Sequence, residues 1–126
     1  MSKINGMLTV VHLKDSSEVI GNVELICRLL EKVVNAIGMT PLGTPTVFYY
    51  PENTKAEGTH TIILPVSSPF IAVQCLYESF VAYDNWPEKG YAHMVIDSCN
   101  PYDIGPVIDV IHEMIPTMRV KIETPV

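Results

Sequence analysis

Phe80-Val81-Ala82-Tyr83 and Tyr91-Ala92-His93-Met94-Val95-Ile96 flank the cluster Pro87-Glu88-Lys89-Gly90. Two apolar, aromatic-rich runs around a proline and a glycine read as a strand pair closed by a turn. Working outward, Met118, Val120 and Ile122 alternate with Arg119, Lys121 and Glu123, the period of a half-buried strand. Upstream, residues 46–50, 61–64 and 70–73 give three more strand-like runs, separated by the breaker-rich segments 51–58 and 65–69. Residues 7–13, short, apolar and rich in β-branched side chains, read as a largely buried strand.

Two segments carry a different period. After the capping residues Asp15, Ser16 and Ser17, the apolar side chains Val19, Val23, Ile26, Leu30, Val33 and Ile37 recur at three and four residues, with Leu29 and Val34 widening the stripe. Gly38 and Pro41 end this helix. A second helix begins near Pro101 and Pro106, with Val107, Ile108, Ile111 and Met114 or Ile115 on its core side. The order is therefore β-α-β-β-β-β-β-α-β. It predicts an α/β two-layer sandwich, a mostly antiparallel sheet with two helices on one face. An apolar second face needs a partner, and sheet-to-sheet dimerisation is one solution.

At 126 residues the chain fits a single domain spanning 1–126, which buries roughly two-thirds of its unfolded surface. Its 48% apolar and 17% charged residues are those of a globular chain. A net charge of −6, with eight scattered basic residues, argues against a nucleic-acid partner and against an anionic membrane. Cys27, Cys75 and Cys99 have no CxxC spacing, so neither a disulfide framework nor zinc is signalled. Cys27 and Cys75 are expected in the core. The histidines show no paired-ligand spacing, and no metal is expected. The N-terminal residues lack a secretory h-region, and no apolar run reaches the length of a membrane span. A soluble cytoplasmic protein is the expectation.

Reactive groups concentrate between positions 78 and 99: a serine, several carboxylates, the sole tryptophan and a thiol, on what should be neighbouring strands. Such a set suits nucleophilic and proton-transfer chemistry beside an aromatic platform. An ordinary hairpin with Trp86-Pro87 packing its turn accounts for the same residues.

The run Glu78-Ser79, Ala82, Trp86-Pro87-Glu88 and Gly90-Tyr91-Ala92, with Cys99 beyond it, resembles the short prokaryotic form of S-adenosylmethionine decarboxylase. Glu18-Val19-Ile20 and the helix ending at Gly38 are similar to that family's first helix, and the segment 39–74 is longer than its counterpart. The resemblance implies self-cleavage between Glu78 and Ser79, with Ser79 converted to a pyruvoyl group at the head of a chain of 48 residues (126 − 78). That keto group takes a substrate amine and accepts the electrons left when carbon dioxide departs.

By the same resemblance Cys99 reprotonates the product carbon, and Glu88 accepts hydrogen bonds from ribose hydroxyls. Phe48, Tyr49 and Trp86 are available to stack on the base or face a sulfonium. Asp84 stands where the family has its processing histidine. Ile71, with Ser67 and Ser68 nearby, stands where it has a second hydroxyl, Phe80 replaces its usual histidine, and Val11 replaces a first-strand acid. The implied function is a pyruvoyl-dependent decarboxylase serving polyamine biosynthesis, with S-adenosylmethionine or a related nucleoside as ligand and a homodimer as the assembly. The alternative is a non-cleaving relative acting as a nucleoside-binding or regulatory subunit, and a third reading is a scaffold retained as an oligomer interface.

Overall fold

The structure is a computed structural model that describes residues 3–4, 8–50, 69–77 and 79–124. The expected strand at 61–64, the loop 51–58, Ser67, Ser68 and Glu78 lie outside the described residues. Strands are β1 (Lys3–Ile4), β2 (Leu8–Lys14), β3 (Thr46–Tyr49), β4 (Phe70–Cys75), β5 (Phe80–Trp86), β6 (Tyr91–Asp97), β7 (Tyr102–Asp103) and β8 (Arg119–Glu123). Helices are α1 (Ser17–Ile20), α2 (Val23–Ala36) and α3 (Gly105–Met114). Among the described strands, six form one antiparallel sheet in the order β3-β4-β5-β6-β2-β8, while β1 and β7 make a separate two-stranded pair. No described helix is long and apolar enough to cross a membrane.

The expected first helix is two helices. Ser16 caps α1, its hydroxyl accepting from the Val19 N–H at 3.3 Å, and Asn22 caps α2 by accepting from Leu25 N–H at 3.1 Å. Each cap satisfies a backbone donor that a helix start leaves open, so Asn22 restarts the helix instead of continuing it. The stripe itself holds: Ile26, Leu29, Leu30, Val33 and Val34 are buried, and α2 packs on α3 and β4. Gly38, at φ +71°, closes the helix in the left-handed conformation expected of a C′ residue.

Alternation sorts the sheet. Thr9, Val11 and Leu13 of β2, Ala92, Met94 and Ile96 of β6, and Val81, Tyr83 and Asn85 of β5 are buried toward the helices. Burying each large apolar side chain contributes about 1.5–3 kcal/mol. Two buried polar side chains of β5 are tied down: Asn85 Oδ1 accepts from Phe70 N–H at 2.8 Å, and both Asn85 Nδ2 (2.9 Å) and Tyr83 OH (2.7 Å) donate to the Ile20 carbonyl. The turn between β5 and β6 is a short 3-10 segment, Pro87–Lys89, ending on Gly90 at φ +61°. A Cβ there would sit 2.5 Å from the Asp15 carbonyl oxygen, so only glycine fits.

Two expectations about the cysteines need correction. Cys75 is exposed, and Cys27 is only half-buried, its thiol pushed upward by burial and by the Glu31 carboxylate. Cys75 ends β4 with the parity of the sheet's second face, which no described helix covers. Core burial of α3 falls on Val107 and Ile111, with Ile115 just beyond, while Ile108 and Met114 are half-buried.

Candidate functional site

Ser79 and Cys99 meet at one end of the sheet, where β5 begins and β6 has ended. The Cys99 backbone N–H donates to Ser79 Oγ at 3.1 Å. Cys99 is exposed and Ser79 half-buried. Two local devices fix this contact. Ser98, buried, donates from its hydroxyl to the Asn100 carbonyl at 2.7 Å while accepting from the Asn100 N–H at 3.1 Å, which folds the chain after β6 and aims the intervening N–H. On the other side, the Leu76 N–H donates to the Ser79 carbonyl at 2.9 Å.

The segment after α2 completes the surroundings. Leu42 N–H donates to the Cys75 carbonyl at 2.8 Å, and Tyr77 N–H reaches the Thr40 carbonyl at 3.4 Å. A cavity of about 230 Å³ results, lined by Met39, Thr40, Tyr77, Ser79 and Asn100 together with Gly38 and Leu76. Thr40 and Asn100 were not singled out from the sequence as lining residues. The Ser98-x-Asn100-Pro101 pattern, a side chain able to bond its own backbone two residues on, is the signal that marks such a turn.

The remaining sequence-predicted residues lie elsewhere. Asp84 is five residues along β5, about 16 Å from Ser79 at the rise of a strand. Its Oδ1 accepts from Tyr50 OH at 2.6 Å and from the Asn85 N–H at 2.9 Å. Within one protomer, therefore, Asp84 does not reach the Ser79 hydroxyl. Trp86 stacks on Tyr91 (5.6 Å between ring centroids) and meets His93 edge-on at 5.4 Å. Glu88 is exposed in the turn beyond it, at the opposite end of the β5–β6 hairpin from Ser79. Phe48, 57% exposed, shares the uncovered face with Asp84 through the register Phe48–Ile71–Asp84. Tyr49 has the opposite parity and packs beside Phe70 at 6.3 Å. Val11 is fully buried toward the helices, so this position cannot present a group on the uncovered face. Glu78 lies outside the described residues.

The chemistry available at the Ser79 end is that of a hydroxyl held by a main-chain donor, with a thiol-bearing residue adjacent. An N–H pointed at Oγ favours negative charge on that oxygen. Ser79 is half-buried and lines the small cavity.

No protein-family model and no curated protein sequence matches the chain. Among solved structures it is similar to the crystal structure of the adenosylmethionine decarboxylase from Aquifex aeolicus VF5, at a TM-score of 0.60 and 16% identity over 95% of this chain and 91% of that one. The chain thus has the mostly antiparallel α/β fold of that decarboxylase.

Proposed function

We propose that the protein is a pyruvoyl-dependent decarboxylase acting on S-adenosylmethionine, self-cleaved between residues 78 and 79 and serving polyamine biosynthesis in the cytoplasm. The observation that carries this reading is the 3.1 Å contact from the Cys99 N–H to Ser79 Oγ, found in a chain of this fold. In processing, Oγ attacks the carbonyl carbon of residue 78 and the peptide becomes an ester. β-Elimination then releases residues 1–78 as a carboxylate, and hydrolysis with loss of ammonia leaves the keto group. Once formed, that group supplies an electrophilic carbonyl that accepts the electron pair freed by loss of carbon dioxide. Cys99, whose backbone N–H bonds Ser79 Oγ, would return a proton to the product carbon.

Trp86 and Glu88 serve nucleoside recognition only if they reach a Ser79 end, and within one protomer seven strand residues, about 23 Å, separate Ser79 from Trp86. A homodimer resolves this. The uncovered face carries Ile71, Val73, Phe80, Ala82, Val95 and Val10, half-buried and mostly apolar. Packing two such faces about a two-fold axis perpendicular to the strands reverses strand direction. The Trp86–Glu88 end of one copy then lies over the Ser79–Cys99 end of the other, with Phe48 and Asp84 between the sheets.

Intact mass of the purified protein under denaturing conditions, with and without borohydride, tests the reading. Fragments of 78 and 48 residues, the smaller one reducible, are expected. A single irreducible chain of 126 residues overturns it in favour of a non-cleaving nucleoside-binding relative, in which Asp84, bonded to Tyr50, is a structural group.

A further inference from the structure

The chain has eight basic residues against fourteen acidic ones, yet Lys14, Lys89, Arg119 and Lys121 gather at one corner of the sheet. Lys14 and Arg119 stand directly opposite each other on β2 and β8, and Lys121 lies two residues along β8 on the same face. Like charges paired across an antiparallel ladder destabilise it. A carboxylate between them would offset that cost. Among the described residues none is bonded to these cations. The two acidic groups at the rim are engaged otherwise. Glu123 accepts from His12 Nε2 at 2.8 Å, and Asp15 accepts from the Ser16 N–H and from the Thr117 hydroxyl, each at 2.7 Å.

What the corner holds instead is space. A cavity of about 440 Å³ is lined by Lys14, Arg119, Lys121, His12, Tyr91 and Glu123, together with Val120. A second cavity, about 280 Å³, shares Lys14 and Arg119 and adds Lys89. The larger is the size of a small-ligand site. Its aromatic wall is rigid: Tyr91 is bonded to His12 Nδ1 at 2.6 Å and stacked on Trp86 at 5.6 Å.

We propose that this corner binds a phosphoryl polyanion, with the Arg119 guanidinium as the bidentate contact and Lys14 and Lys121 as flanking point charges. Three cations around one cavity exceed the charge of a monocarboxylate and suit two linked phosphates. Within one protomer the site is separate from the Ser79 cavity; it lies on the uncovered sheet face beside Trp86, and phosphate binding there requires no chain cleavage.

Calorimetric titration of inorganic pyrophosphate into the full chain and into its Ser79→Ala variant, at low ionic strength, tests it. Saturable binding is expected in both, since no processing is required. Arg119→Gln and Lys14→Gln should each weaken it by about tenfold, the effect of losing one charge-assisted contact. Arg28→Gln, on α2 and remote from the corner, should leave it unchanged. These side chains are exposed, and matching thermal melts establish that the variants fold. Adenosine triphosphate in place of pyrophosphate separates the sources: equal affinity supports a site reading phosphates alone, and tighter binding lost in Tyr91→Leu supports a nucleotide. Absence of saturable pyrophosphate binding, or an equal loss in Arg28→Gln, overturns the proposal.

Discussion

Ser79 Oγ accepts a hydrogen bond from the main-chain nitrogen of Cys99, twenty positions away, at 3.1 Å. The donor is backbone, so it survives any substitution of the Cys99 side chain except proline, and the two roles carried over by resemblance become separable. Ser79→Ala should abolish both chain cleavage and carbon dioxide release. Cys99→Ala should still cleave, while decarboxylation falls by roughly 10²–10⁴-fold, the range for a lost proton donor. Gel mobility of the two fragments and radiolabelled carbon dioxide release measure each. Cleavage lost in Cys99→Ala would mean that the thiol takes part in processing.

Ala82 and Val95 face each other at the middle of the uncovered sheet face. A charge placed there stays solvated in a monomer and is buried unpaired in a face-to-face dimer. Val95→Lys is therefore expected to give a folded monomer without decarboxylase activity, read by sedimentation equilibrium beside a circular dichroism melt. A dimer that persists in Val95→Lys would place the interface elsewhere.

Asn85 is 1% exposed and bonds the Phe70 N–H on one side and the Ile20 carbonyl on the other. Asn85→Leu leaves both main-chain groups buried without that partner, and a loss of about 2–4 kcal/mol in denaturant-derived stability is expected. Tyr83→Phe removes one bond to a carbonyl that keeps Asn85, so about 1 kcal/mol is expected.

Burial, with the neighbouring Asp84 charge added and the Asn85 bond opposing, pushes the Tyr83 phenol above its ordinary value of 10. Tyr102 and Tyr91 shift the same way, mainly through desolvation. A folded-state value above the unfolded one means that the unfolded chain releases its proton first. This contribution to stability is full below about pH 10 and declines as pH rises toward the folded-state value. Denaturant midpoints between about pH 9 and 12 should fall with pH, and less steeply in Tyr83→Phe. An unchanged slope would show that Tyr83 does not carry the effect.

Periodicity made much of the fold legible. The α2 stripe, the alternation of β8 and the Pro87–Gly90 turn depend on local spacing, and each lies close to where it was expected. The break between α1 and α2 was missed because Val19 and Val23 continue the apolar stripe across it, whereas Asn22 and Ser16 decide the hydrogen bonding. The β1–β7 pair was missed because two-residue strands have no period. Cys75 was misplaced because free cysteine is usually buried, and the side of a strand it occupies depends on register.

By itself the sequence determined which residue types exist for chemistry, Ser79 with Cys99 among them, and which elements carry them, because hydrophobic period is local. Tertiary structure alone decided distance and side. It drew Ser79 and Cys99 together across adjacent strands and left Trp86 and Glu88 at the far end of the same hairpin. It also turned Tyr49 away from Phe48 and set Lys14 against Arg119. Those relations follow from ladder register and strand order, which long-range hydrogen bonds and core packing fix and which no window of neighbouring residues contains.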